Sequence, residues 1–147
     1  MPETQRITRA AYLEALDDFR GFLKEHCANY PGVTDEILYD LQLAVDEACT
    51  NIITHGYADM DPGSIILDLE LDSNKITISL TDFGHAFEPD NAPLPDVDAP
   101  IEEREIGGFG LFFIQQSVDE MKYQSSEDSN TMTLTKLLPR EHNKSGG

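Results

Sequence analysis

The stretch Leu41–Tyr57, LQLAVDEACTNIITHGY, decides how the rest of the chain is interpreted. Its apolar residues recur at three- and four-residue steps, which is the period of an amphipathic helix. Thr34 is a residue type that caps helices, and Gly56 is one that ends them, so we predict a helix between these two positions. Near its end this helix carries a carboxylate and an amide, Glu47 and Asn51.

Glu47 and Asn51 are four residues apart, which places both side chains on one side of the helix, at the border of its apolar stripe. An asparagine oxygen is a suitable ligand for Mg²⁺, and a glutamate can polarise an attacking hydroxyl or order a metal-bound water. The alternative is a solvated helix face without a chemical role. Taken alone, the two residues favour that alternative.

A second motif, Asp82-Phe83-Gly84, ends a predicted strand over Lys75–Asp82. Asp82 has the parity of the apolar residues of this strand, so it should point into the layer between sheet and helices. A carboxylate buried there needs a hydrogen-bond donor, and the exocyclic amine of adenine would be one. Gly84 would let a ring approach the backbone closely. The alternative is a strand that ends earlier and leaves Asp82 in water.

A third motif, the run from Gly107 through Gly108 and Gly110 to Leu111, opens a predicted helix over residues 110–120. Backbone N–H groups at a helix N-terminus form an anion site. The run is neither a Rossmann fingerprint nor a Walker loop, and the alternative is a junction whose glycines only turn the chain. The proline-rich, acidic segment 85–106 before it has no periodicity and is typical of a lid or a disordered loop.

The remaining pattern predicts an α+β fold. A short edge strand, Arg6–Thr8, precedes an amphipathic helix that reaches about residue 29, and two strands over about 122–126 and 131–138 close the chain. The inward residues predicted for this first helix are Leu13, Leu16, Phe19, Leu23 and Cys27. We therefore expect a two-layer sandwich in which helices cover one face of a mixed, mostly antiparallel sheet. A single domain over 1–147 is expected, with its core at about 6–138 and a tail at 139–147.

Amino-acid composition limits the kinds of partner and the cellular location that we expect for this chain. The 147 residues carry a net charge of −18, which makes direct nucleic-acid binding improbable and leaves either plain solubility or a basic protein partner. Neither a secretory signal nor an apolar run of about 18 residues is present, so we expect a cytoplasmic protein without a membrane segment. Cys27 and Cys49 form no CxxC pair and are expected to be reduced and buried.

With these motifs in order, the chain resembles the ATP-binding fold shared by gyrase, a heat-shock chaperone, histidine kinases and the mismatch-repair ATPases. Within that group it is most similar to bacterial anti-sigma-factor serine kinases, over about Ile7 to Leu138. Leu41–Tyr57 is similar to the first box of the family, Thr81–Pro89 to the second and Ile106–Ile114 to the third.

The resemblance implies roles for individual residues. Glu47 would be the general base, Asn51 the Mg²⁺ ligand, and Asp82 the reader of adenine. Thr131 would share a water with that acid, and Arg104 would be the arginine that reaches the phosphates. The other implied nucleotide contacts are Gly84, Ala86, Gly107, Gly108, Gly110 and Leu111. Ala86 departs from the family pattern, which usually has glycine at this position.

The implied function is that of an ATP- and Mg²⁺-dependent anti-sigma factor. It would bind a sigma factor, phosphorylate a serine or threonine of an anti-anti-sigma antagonist, and form a homodimer. The alternative is a non-catalytic, nucleotide-dependent regulatory binding module of the same fold. A histidine kinase is disfavoured because the chain has no room for a helix pair that carries a phosphoacceptor.

Overall fold

The computed structural model describes residues 3–85 and 114–139. Within these residues the chain forms a five-stranded sheet. The strands are β1 (Glu3–Ala10), β2 (Ser64–Leu71), β3 (Lys75–Asp82), β4 (Glu120–Ser125) and β5 (Asn130–Leu137). They are arranged in the order β1-β2-β3-β5-β4, and each neighbouring pair is antiparallel. The predicted α+β class is confirmed. The expected sheet was mixed and mostly antiparallel, whereas all neighbouring pairs among the described strands are antiparallel.

Alternation along the strands separates the two faces of the sheet. In β2 and β3 every second residue is buried, and in β5 the same holds from its first residue. The register places Leu67 opposite Leu80, and Leu80 opposite Met132, so that apolar side chains of three strands line up on one face. Two helices cover this face, and the opposite face is built mainly from threonine, serine and charged residues.

The helices α1 (Ala15–Cys27) and α2 (Asp35–Asn51) pack on each other and on the apolar face of the sheet. The start of α2 is the predicted one. The Thr34 hydroxyl accepts a hydrogen bond from the Ile37 N–H at 3.1 Å, which satisfies one of the free amide groups of the first turn. Asp35 and Glu36 follow, where their charges complement the helix dipole.

The end of α2 differs from a plain helix. After Asn51 the chain continues for one wide π-helical turn, Ile52–Gly56, before it leaves the helix. The predicted end at Gly56 is confirmed, but the last turn is not α-helical. A π turn adds a residue to the helix and re-aims the side chains and carbonyls that follow, and such turns are frequent at functional sites.

Two predicted details are wrong. Leu13 is exposed rather than inward because α1 begins only at Ala15, after a turn. The predicted helix over 110–120 is described from residue 114 and ends at 117, and Glu120 already belongs to β4. Only the last four residues of this helix are described, and its end differs from the predicted one by three residues because apolar periodicity does not mark where a helix stops.

Lys136 ties the sheet to the elements around it. It occupies an inward position of β5 and is mostly buried. Its ammonium donates to Asp40 Oδ2 at 3.1 Å and to the Ser117 carbonyl at 2.9 Å. A buried ammonium needs such partners, and these connect β5 to α2 and to the turn at 114–117.

Both cysteines are free thiols inside the core, as predicted. Burial raises the pKa of the Cys27 thiol to about 11 and raises that of Cys49 further. No helix within residues 3–85 and 114–139 has the length and apolar content that a membrane crossing requires.

We predict that Thr34→Ala lowers the free energy of unfolding by about 1 kcal/mol, because it removes the N-cap of α2. Thr54→Ala is the control, since this exposed hydroxyl donates only to the Thr50 carbonyl within the helix; its change should stay within about 0.5 kcal/mol. Urea unfolding followed by circular dichroism measures both. Equal losses would show that the cap contributes no more than an ordinary surface hydroxyl.

Candidate functional site

A pocket opens where the end of α2 faces the ends of β3, β4 and β5. Its walls are mainly apolar, and the polar side chains among its lining residues include Asn51, Asp82 and His85. The lining residues are Ala48, Asn51, Ile52, Gly56, Asp82, His85, Tyr123 and Met132. Apolar walls with a few fixed polar groups are typical of a site for a flat ligand with a polar edge.

Asp82 is the buried acid of this pocket, with a side chain that points to the helix layer as predicted. It is 4% exposed. Its Oδ1 atom accepts hydrogen bonds from the Gly84 N–H at 2.9 Å and from the Asn130 Nδ2 atom at 3.0 Å. Within residues 3–85 and 114–139 no group donates to Oδ2. Within the described residues, one oxygen of the carboxylate is bound and the other has no donor, which suits an acceptor that a ligand would use.

Gly84 allows two backbones to meet, and the predicted approach of a ring to this glycine stays a prediction. A Cβ atom at Gly84 would lie 2.2 Å from the Gly56 carbonyl oxygen, far inside van der Waals contact. The same carbonyl accepts a hydrogen bond from the His85 N–H. The π-helical turn that ends α2 is thus joined directly to the end of β3, and only glycine fits at the junction.

Asn51 faces the pocket from the other side. It is 8% exposed, and its Nδ2 atom is buried without a hydrogen-bond partner in the described part of the chain. An unpaired buried amide is unfavourable, by about 1–3 kcal/mol. The sequence interpretation gave Asn51 a role in ligand binding, and its unpaired amide is the kind of group that a ligand or its bound water would satisfy.

Glu47 lies one helical turn before Asn51, half-buried, and it does not line the described pocket. Burial, and then the neighbouring charge of Asp46, raise the pKa of Glu47 above its usual value. Arg20 of α1 compensates Asp46, because its Nη1 atom lies 3.0 and 2.9 Å from the two carboxylate oxygens. Burial nevertheless dominates and raises the pKa of Asp46 as well.

Thr131 and Asp82 are not brought together. Thr131 lies on the open face of the sheet, where its hydroxyl is 3.2 Å from that of Thr81. Asn130, one residue earlier, is buried on the same face as Asp82 and is its register partner in β5. Consecutive residues of a strand point to opposite faces of the sheet, so the pairing of Asn130 with Asp82 leaves Thr131 on the other face.

Asn130 is the functional candidate that the sequence reasoning missed. The signal for it was available, since Asn130 has the parity of Met132 and Leu134 on an alternating strand. An asparagine beside a turn sequence is, however, more readily interpreted as part of the turn.

Several predicted site residues lie outside the described residues. These are Ala86, Arg104, Gly107, Gly108, Gly110 and Leu111, together with most of the predicted lid over 85–106. The described site therefore consists of the helix that carries Asn51 and the strand ends that carry Asp82 and Asn130.

Comparison with known proteins accounts for this arrangement. Residues 10–136 match the family model described as a histidine kinase-like ATPase domain, which is most of the chain. This chain belongs to that family. Its α+β sheet with a pocket at the end of α2 is thus the family's ATPase fold.

Curated relatives carry the name serine-protein kinase RsbW. One from Halalkalibacterium halodurans is 33% identical, and the match covers 95% of this chain and 86% of the relative. Another from Bacillus thuringiensis is 31% identical, over 82% of this chain and 76% of the relative. Each match covers more than two thirds of this chain and of the relative, so the ATPase domain of this chain belongs with those of the RsbW kinases.

Solved structures agree at the level of the fold. The RsbU and RsbW domains of a Mycobacterium tuberculosis protein match with a TM-score of 0.68 at 23% identity, over 94% of this chain and 33% of that one. A histidine kinase domain from Erythrobacter litoralis matches with a TM-score of 0.56 at 14% identity, over 90% of this chain and 62% of that one. This chain spans about a third of the solved mycobacterial chain.

We predict that Gly84→Ala destabilises the protein by about 1–3 kcal/mol or more, because the new Cβ would overlap the Gly56 carbonyl. Gly21→Ala is the matched control, since a Cβ there meets nothing within 4 Å in the middle of α1. It should stabilise the helix by about 0.5–1 kcal/mol. Thermal unfolding of the two variants should give shifts of opposite sign, and a Gly84→Ala protein as stable as the unmodified one would refute the close approach.

Proposed function

We propose that this chain is an ATP- and Mg²⁺-dependent serine/threonine kinase that acts as an anti-sigma factor in the cytoplasm. In one state it binds a sigma factor, and in another it binds an anti-anti-sigma protein and transfers the γ-phosphoryl group of ATP to a hydroxyl of that protein. The family match and the names of the curated relatives support the kinase activity. The buried carboxylate of Asp82 supports adenine as the base.

The adenine assignment rests on hydrogen-bond chemistry. Asp82 presents a carboxylate oxygen to a mainly apolar pocket, and an acceptor in such a place favours a ligand edge that donates. The exocyclic amine of adenine donates, whereas the corresponding oxygen of guanine accepts. Apolar neighbours such as Ala48, Ile52 and Met132 would contact the faces of the ring.

The metal assignment rests on Asn51. Its amide oxygen is a hard donor of the type that Mg²⁺ prefers. Its Nδ2 atom is buried and unpaired in the described chain, and a phosphate oxygen of the nucleotide would accept a hydrogen bond from it. No group of three or more histidine, cysteine or acidic side chains able to hold a metal occurs among the described residues. Mg²⁺ commonly uses few protein ligands together with waters and phosphates. When bound, the ion would neutralise developing charge on the transferred group.

Glu47 is the proposed general base. It lies on the helix side that leads to Asn51, and its pKa is raised by burial and by Asp46. A base with a raised pKa accepts a proton more readily, so Glu47 is suited to take the proton of the attacking serine or threonine hydroxyl. The proton would move to a carboxylate oxygen of Glu47 as the hydroxyl oxygen attacks the γ-phosphorus, and the bond between that phosphorus and the bridging oxygen would break to release ADP.

The phosphate end of the site is proposed from the sequence alone. Gly107, Gly108, Gly110 and Leu111 would hold the phosphates with backbone N–H groups, and Arg104 would reach the transferred group. Ala86 would lie beside the base. These roles extend the described pocket toward the segment between β3 and β4.

The partner assignment is supported by charge and by the named relatives. A net charge of −18 favours a protein surface rich in lysine and arginine over a nucleic acid. A homodimer is proposed from the resemblance. The competing proposal, a nucleotide-dependent module without catalysis, would bind the same partners and transfer no phosphate.

We predict that Asp82→Asn lowers the affinity for ATP by about 10- to 100-fold, because the new amide would present a donor to the donating amine of adenine. Asp68→Asn is the control, since Asp68 is on the open face and pairs with Arg6. Calorimetric titration with Mg-ATP and Mg-GTP measures both. Equal binding of the two nucleotides by the unmodified protein would refute Asp82 as the reader of the base.

We predict that Asn51→Ala abolishes the part of ATP binding that depends on Mg²⁺, because it removes the amide oxygen proposed as the ligand. The exposed turn residue Asn74 serves as the control position for the same change. Titrations with ATP in the presence of Mg²⁺ and in EDTA should differ for the unmodified protein and coincide for Asn51→Ala. A metal response that survives the substitution would place the ligand elsewhere.

We predict that Glu47→Gln retains ATP affinity and stops phosphate transfer, since the amide preserves shape but accepts no proton. The test uses labelled ATP, the cognate antagonist and, as control, Glu36→Gln on the exposed start of α2. Binding of the antagonist by the unmodified protein in a nucleotide-dependent way, without labelling, would favour the module without catalysis.

The same variant carries a stability signature. The pKa of Glu47 is raised in the folded state, so its ionisation disfavours folding once the pH exceeds the folded pKa. Below the ordinary glutamate pKa of about 4.3 the group is protonated in both states and the effect vanishes. We expect Glu47→Gln to raise the melting temperature at neutral pH and to leave it unchanged at acid pH. A difference independent of pH would contradict the raised pKa.

A further inference from the structure

Asn130 is a buried amide that is hydrogen-bonded to Asp82, one of the residues that line the pocket. It is 2% exposed and begins β5 directly opposite the last residue of β3, Asp82. Its Nδ2 atom donates to Asp82 Oδ1 and to the Gly84 carbonyl, each at 3.0 Å. Both partners are acceptors without a hydrogen, so the orientation of the amide is fixed by its surroundings.

These bonds restrict a carboxylate that would otherwise rotate. The terminal torsion of an aspartate is broad and has no strong intrinsic preference. In this pocket two N–H groups, from Gly84 and Asn130, converge on Oδ1, and the described chain offers no donor to Oδ2. Asn130 therefore contributes to the choice of which oxygen is bound by the protein and which is available to a ligand.

We infer that Asn130 is the residue that sets base specificity, by holding Asp82 Oδ1 so that Oδ2 is presented to the donating edge of the base. It acts through Asp82 and Gly84 and is a positioning residue. This inference rests on the proposed function, since it assumes that the pocket binds an adenine nucleotide. According to this inference, the contact between the Asn130 amide and the Asp82 carboxylate causes the preference for a base with an exocyclic amine.

A purely structural role for Asn130 makes a different prediction. If the amide only held the ends of β3 and β5 together, its loss would lower stability and weaken every nucleotide to the same extent. If it positions Asp82, its loss should weaken only ligands that use the exocyclic amine. A pair of nucleotides that differ in that amine separates the two roles.

The experiment compares ATP with purine riboside triphosphate, which has the same ring system, sugar and phosphates but no exocyclic amine. Isothermal titration of the full chain with Mg²⁺ gives the ratio of the two dissociation constants. The main variant is Asn130→Leu, which matches the asparagine in size and has no donor. Thr133→Val is the control, on the open face of the same strand, where its hydroxyl lies 3.4 Å from that of Ser79.

We expect the unmodified protein and Thr133→Val to prefer ATP, and Asn130→Leu to lose about tenfold of that preference, with the affinity for purine riboside triphosphate nearly unchanged. In the Asp82→Asn background, Asn130→Leu should change the ratio no further, because the two residues act through one contact. An additional change in that background would overturn the inference.

A second variant covers a failure of Asn130→Leu to fold. Asn130→Thr retains a hydroxyl, which has one donor and can serve only one of the two acceptors. It should lose part of the ATP preference. An unchanged ratio in a folded variant, or an equal loss for both nucleotides, would overturn the inference while ATP binding stands. Absence of binding of either nucleotide to the unmodified protein would refute the proposed function itself.

Discussion

Asp82 is a carboxylate buried among apolar side chains, and the arrangement of the pocket depends on how that charge is compensated. Two N–H groups converge on one of its oxygens, from Gly84 and from Asn130. The donors come from the turn that follows β3 and from the start of β5, so compensation fixes the relative position of two strand ends. A buried ion without partners is highly unfavourable, so the loss of either donor should destabilise the position of the Asp82 carboxylate in the pocket.

The helix side of the pocket is fixed by a backbone contact. The π-helical turn Ile52–Gly56 brings the Gly56 carbonyl to His85 and against Gly84. This contact joins the helix that carries Asn51 to the strand that carries Asp82. At the far end of the sheet, Lys136 joins β5 to α2 through Asp40. The helix is thus held at both ends, and the distance between the proposed metal ligand and the proposed base reader is set by these two junctions.

Much of the fold could be predicted from the sequence because its signals are local. The period of two in the predicted strand Lys75–Asp82 gave its inward face, and the boundaries of β3 were predicted without error. The cap at Thr34 gave the start of α2. Prediction was wrong where the local signal was weak, as at Leu13, where apolar periodicity extended beyond the turn that precedes α1. Periodicity reports which side chains are apolar, and it does not report where the backbone turns.

The sequence by itself determined the chemistry of the site: a carboxylate at the end of an alternating strand, an amide at the end of an amphipathic helix, and a glycine after the acid. Their types and order require no knowledge of the fold. Tertiary structure alone decided which groups meet. It placed Asn130 rather than Thr131 beside Asp82, and it gave Gly84 its role against Gly56. Both outcomes depend on strand register and on contacts between residues far apart in the chain, and a one-residue shift in register exchanges the faces of a strand.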